Sequence, residues 1–215
     1  DDENLRHRLI AERPDEKTMH FKEVELQRTF ELDAAVNYEP APDQSIAARA
    51  KAQGRDPFDL ALELMMQNDG QALLMHPFEN YCAGDLEVVK EMLEDPNTVC
   101  GVADAGAHVG VICDASSPTS LLTHWGRDRT RGEKLPLEFL VRKQTHDTAR
   151  TYGLLDRGVI APGYKADINL IDFEALRLQR PHIVYDLPAG GRRIIQKADG
   201  YRHTFVSGVE VMRGG

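Results

Sequence analysis

Apolar and polar positions divide the chain into a helix-rich part and a part made of short strands. Apolar residues at helical spacing predict helices over 3–13, over 43–52 with Asp43 as N-cap and Gly54 as the closing residue, from 56–57 onward, from Asp85 onward and over 135–152. Two short apolar runs, 72–75 and 97–102, are typical of strands covered on both faces of a parallel sheet. With the helix between them they predict a strand–helix–strand unit.

The pattern changes at Gly153, after which the segments are short and β-like. Predicted strands fall at 167–171, 183–185, 193–196 and 203–211, and turn signals of Pro-Gly, Gly-Gly and Ser-Gly type separate them. We therefore predict two domains, an α/β domain over 1–152 and a small β-rich domain over 153–215.

Composition and charge narrow the class of protein. The chain has 215 residues, 41% hydrophobic and 28% charged, which is ordinary globular composition. Its formal net charge of −9 argues against a nucleic-acid partner. Arg127, Arg129 and Arg131 form a small basic patch, interpreted as a solvated loop or an anion contact. No apolar run approaches the roughly 18 residues that span a bilayer, and three cysteines without C-x-x-C spacing favour a reducing compartment such as the cytoplasm.

Asp104 is the main candidate for chemistry. It follows the predicted strand 97–102, and catalytic groups gather at the carboxyl ends of parallel strands. The small residues Ala105, Gly106 and Ala107 leave room for a ligand to approach. A carboxylate here can bind a metal or act as a general base. It can equally cap the next turn, since Asp is a common turn residue.

Two histidines extend this candidate site. His108 lies four residues after Asp104 and can hydrogen-bond to substrate or water, or can be an ordinary loop residue. His76 ends the other apolar run, so it either lines the same pocket or simply ends its strand. With Asn80 and Tyr81, which follow closely, these histidines form the predicted substrate-binding set.

Several common catalytic motifs are absent from the sequence. It contains no H-x-H pair, H-E-x-x-H, phosphate-binding loop, G-x-S-x-G or dinucleotide fingerprint. A catalytic metal needs three or four ligands, so Asp104 by itself cannot hold one.

The segment where the helix-rich part meets the β-rich part carries a family resemblance. Residues 145–172, THDTARTYGLLDRGVIAPGYKADINLID, resemble the C-terminal signature of the amidohydrolase superfamily, and the close FVSGVEV at 205–211 resembles its final strand pair. Residues 37–42, 103–110, 121–125 and 186–193 are similar to the N-acyl-D-amino-acid deacylase (D-aminoacylase) branch.

The resemblance implies a fold and a reaction. The fold would be the C-terminal part of a (β/α)8 metal-dependent hydrolase barrel followed by a small β-sandwich, with 97–102 as the eighth barrel strand. Asp104 would be the catalytic aspartate and a weak ligand of a zinc ion. The other ligands have no matching positions here and would lie upstream, so we expect a fragment of a longer enzyme that releases amino acid from N-acyl-D-amino acids. The chain departs from the family pattern at Ala103, usually Ser, and at Ala105, usually Gly.

Other functions remain open on the sequence. A cyclic-amide hydrolase of the same superfamily would share the fold, because fold does not fix substrate. A non-catalytic half-barrel could serve as a scaffold or a homo-oligomerisation unit, since exposed sheet edges favour a partner.

Overall fold

The structure is a computed structural model that describes residues 2–12, 26–32, 34–77, 79–101, 106–111 and 114–214. It divides into two compact units, Asp1–Leu86 and Glu87–Gly215. This division by spatial contacts, between Leu86 and Glu87, does not test the domain boundary predicted at 152/153, which stays a prediction. Within the described residues, no helix combines the length and the apolar character needed to cross a membrane.

The first unit is mainly helical. Its elements are α1 (Glu3–Ala11), β1 (Phe30–Glu31), a 3-10 turn (Pro42–Gln44), α2 (Ile46–Gln53), α3 (Pro57–Met65), α4 (Gln67–Gly70), β2 (Leu74–Met75) and a second 3-10 turn (Glu79–Tyr81). The core lies between α2 and α3, where Ile46, Ala50, Leu60, Ala61 and Leu64 are buried against each other. Burying a large aliphatic side chain contributes about 1.5–3 kcal/mol, so this cluster holds the unit together.

Capping residues set the helix bounds. The Asp56 carboxylate accepts hydrogen bonds from two backbone N–H groups of the first turn of α3, and Pro57 occupies its first position, as predicted. Gly54 ends α2 in the left-handed conformation with φ 65°, also as predicted. The predicted N-cap of α2, Asp43, is wrong. That residue lies inside the 3-10 turn, and Ser45 caps α2 through its hydroxyl, which accepts from Ala48 N at 3.2 Å.

Of the two apolar strands predicted in the helix-rich part, only one forms a strand in the described residues. Residues 74–75 do form a strand, but β2 pairs with β1 in antiparallel register, Phe30 opposite Met75, rather than in a parallel sheet. Residues 97–101 form no strand in the described structure. The Thr98 hydroxyl bonds back to Asp95 O at 3.0 Å, and the Thr98 carbonyl accepts from Lys143 Nζ at 2.7 Å, which occupies backbone groups that a strand ladder would use.

The helices of the second unit precede its strands. They are α5 (Glu87–Glu94), a 3-10 turn (Asp114–Ser116), α6 (Ser117–Thr123) continued by a π-helical turn (His124–Asp128), and α7 (Leu137–Arg142) continued by a π-helical turn (Lys143–Asp147) into α8 (Thr148–Thr151). The predicted helix over 135–152 is thus confirmed as one helical run over 137–151.

The β-rich segment consists of antiparallel pairs. Its strands are β3 (Ile168–Ile171), β4 (Arg177–Leu178), β5 (His182–Leu187), β6 (Gly191–Ile195), β7 (Ala198–Asp199), β8 (Tyr201–Val206) and β9 (Val209–Arg213). They pair in the orders β3-β8-β9, β4-β7 and β5-β6. The four predicted strand segments are confirmed, and Ser207-Gly208 is the predicted turn of the β8–β9 hairpin. Gly200 is required between β7 and β8, because its φ is +103° and an added Cβ would lie 2.6 Å from Leu176 Cα.

Candidate functional site

The loop that follows Asp104 is described from Gly106 onward, whereas Asp104 itself lies outside the described residues. Residues 108–111 form a turn closed by a hydrogen bond of 2.8 Å from Val111 N to His108 O. His108 has a φ of 46°, a conformation uncommon for a residue with a side chain, and its imidazole is exposed. The predicted substrate-binding residue therefore lies at the start of a tight exposed turn.

Strand β6 holds this turn in place. Ile194 N donates a hydrogen bond of 2.7 Å to Val109 O. Next to it, the Arg192 side chain lies against Gly110, where an added Cβ would be 3.9 Å from Arg192 Nε. The β-rich segment thus supplies both a backbone anchor and a guanidinium group to the loop that carries His108. Sequence patterns missed this contact, because some 80 residues separate the partners.

His76 lies in the first unit, directly after β2. Its Nδ1 is 3.0 Å from Thr29 Oγ1. Thr29 is itself buried, with 7% of its surface exposed, and its backbone carbonyl accepts from Ile46 N at 2.9 Å. The imidazole is therefore positioned by a residue attached to the core, which suits a binding group as well as a structural one.

Tyr81 and Asn80 share the 3-10 turn Glu79–Tyr81 in the first unit. Tyr81 is only 2% exposed, its ring meets Phe30 edge to face at 5.8 Å, and its hydroxyl donates to Pro40 O. Asn80 is exposed. These contacts make Tyr81 a packing residue of the first unit, and the predicted role of both residues in substrate binding stays a prediction.

A buried lysine that sequence reasoning missed contacts the segment 95–98, a few residues before Asp104 in the sequence. Lys143 is 3% exposed and its ammonium donates to Asp95 O at 2.8 Å, to Thr98 O at 2.7 Å and to Thr98 Oγ1 at 3.1 Å. These bonds fasten the turn after α5 to the helical run over 137–151. In the same segment, burial raises the pKa of the Cys100 thiol above its ordinary value, which keeps it in the neutral form.

The interpretation of the basic patch as a solvated loop is wrong for Arg129, which is 2% exposed. Its guanidinium donates to Glu133 O at 3.0 Å and to Glu87 Oε1 at 2.7 Å, and it lies 4.5 Å from the centre of the Trp125 ring. A buried cation is tolerated only with such partners. The signal in the sequence was the nearby Trp125, because an indole ring can pack against the face of a guanidinium group.

A metal centre is not formed by the residues that can be described. Among them, no group of three or more His, Cys, Asp or Glu side chains is placed to hold a metal ion. Asp104, the predicted ligand, lies outside them. The described residues therefore do not form a zinc site by themselves, since such a site needs three or four ligands.

Comparisons with known proteins point to one family. A sequence model of the amidohydrolase family matches residues 11–212. Two curated 5-methylthioadenosine/S-adenosylhomocysteine deaminases, from two strains of Desulfitobacterium hafniense, are each 36% identical in a 104-residue alignment that covers 42% of this chain and 24% of the relative.

Three D-aminoacylase structures are also similar to the chain. One, determined with copper chloride, has a TM-score of 0.44 at 23% identity and is covered over 35% of its length by 86% of this chain. Another, from work on the binuclear metal centre of D-aminoacylase, has a TM-score of 0.45 at 23% identity, with 36% of its length and 89% of this chain covered. The chain thus spans about a quarter of the curated relatives' length and about a third of that of these structures. Because the family model covers almost all of the sequence, this chain belongs to the amidohydrolase family.

Proposed function

We propose that the chain is the C-terminal part of a longer enzyme that hydrolyses a carbon–nitrogen bond, with an N-acyl-D-amino acid as substrate. The match of the amidohydrolase family over residues 11–212 carries the reaction class. The substrate class is supported by the stretches at 103–110 and 186–193 that resemble the D-aminoacylase branch. The other part of the barrel, and most ligands of a divalent metal such as zinc, are assigned to the rest of the parent protein.

Asp104 has the central role in this proposal. A metal ion would polarise the scissile carbonyl and make bound water acidic enough to react near neutral pH. Asp104 accepts a proton from the attacking water and returns it to the leaving nitrogen. His108, two residues after the start of the described loop, is assigned to substrate binding, together with His76, Asn80 and Tyr81.

The parent protein tests the proposal directly. We expect the protein encoded by the complete gene to release acetate from N-acetyl-D-amino acids and to act far more slowly on the L enantiomers. Asp104→Asn should lower kcat by about 10²–10⁴, the usual contribution of a positioned acid–base group. Asp43→Asn is the matched control, because Asp43 is exposed, and it should leave kcat unchanged. Near-normal turnover by Asp104→Asn would remove Asp104 from the mechanism.

Hydrolytic deamination is a second candidate function. It is favoured by the 36% identity to deaminases that act on 5-methylthioadenosine and S-adenosylhomocysteine. The same preparation, given 5-methylthioadenosine, would then release ammonia, and would leave N-acetyl-D-amino acids intact. Hydrolysis of a cyclic amide alone would place the parent in another branch, and inactivity on all of these substrates would favour a scaffold or oligomerisation role.

A further inference from the structure

We draw no further inference here: the strongest candidate, the exposed apolar surface patch that Leu155 and Ile160 form in the loop between α8 and β3, carries no proposal, because nothing in the structure shows what covers it.

Discussion

Replacing Lys143 by Met should destabilise the second unit and loosen the segment that leads to Asp104. The ammonium of Lys143 uses all three of its donors, on Asp95 O, Thr98 O and Thr98 Oγ1, at 2.7–3.1 Å. Methionine keeps most of the apolar stem and its packing but cannot donate. The substitution therefore isolates the contribution of the charged head.

The expected loss of stability follows from the net free energy that each hydrogen bond contributes in competition with water. A hydrogen bond to a charged group contributes about 1.5–3 kcal/mol, and three such bonds give an upper bound of roughly 4.5–9 kcal/mol. Asp95 is exposed and Thr98 half-buried, so water can reach these acceptors after the substitution. Asp95 O also keeps its bond from Thr98 N at 3.3 Å. We therefore expect a net loss of about 2–4 kcal/mol, with an apparent Tm lowered by about 4–16 °C.

Calorimetry gives the change in Tm, and hydrogen exchange locates it. Exchange at the Thr98 amide should accelerate in Lys143→Met, because the turn that holds it loses its clamp. Lys134→Met is the control, since Lys134 is exposed, and should change Tm by no more than about 1 °C. A Tm for Lys143→Met that matches this control, or an unchanged exchange rate at Thr98, would refute the reasoning.

Two further predictions concern the β-rich segment. Gly200→Ala should lower the free energy of unfolding by about 3 kcal/mol, because the added Cβ would lie 2.6 Å from backbone at a residue with positive φ. Gly214→Ala is the control, since it has positive φ but open space around it, and it should lower the free energy of unfolding by about 1 kcal/mol. Equal Tm values for the two variants would contradict this prediction. Hydrogen bonds from Arg213, and secondarily from His203, lower the pKa of Glu210 from 4.5 to about 2. A carboxyl group whose pKa is lowered by folding stabilises the folded state above its unfolded pKa of 4.5, and this stabilisation is lost as the pH falls through about 2. The urea concentration at the unfolding midpoint should therefore be higher for wild type than for Glu210→Gln at pH 5, and this difference should shrink between pH 5 and pH 2. A constant advantage across that range would disprove the assignment.

The elements that the sequence predicted correctly are those with a local cause. Asp56-Pro57 starts α3, Gly54 ends α2, and Ser207-Gly208 turns β8 into β9, because each conformation depends on the residues at that position. Strands β4 and β7 were missed, since two residues are too short to show an alternating pattern. The N-cap of α2 was misplaced because Asp43 and Ser45 are both good capping residues, and only the 3-10 turn decides between them.

The predictions that failed depend on distant partners. The apolar run at 97–102 looks like a strand by composition, yet Lys143, more than 40 residues away, binds the carbonyl of Thr98. Arg129 was interpreted as solvated because its neighbours in sequence are charged, whereas its burial depends on Glu87 and the ring of Trp125. A single sequence contains the residues for such contacts but not their pairing.

The candidate site shows the same difference between features that depend on local sequence and features that depend on distant partners. Asp104 and His108 were identified from their place after an apolar run, and that inference needs only local sequence. The turn that begins at His108 is held by Ile194 N, which comes from a hairpin that begins about 70 residues later. If the chemistry resides in the loop and the hairpin only positions it, then substitutions in β6 should weaken turnover modestly, whereas Asp104→Asn should lower kcat by about 10²–10⁴ for every substrate alike.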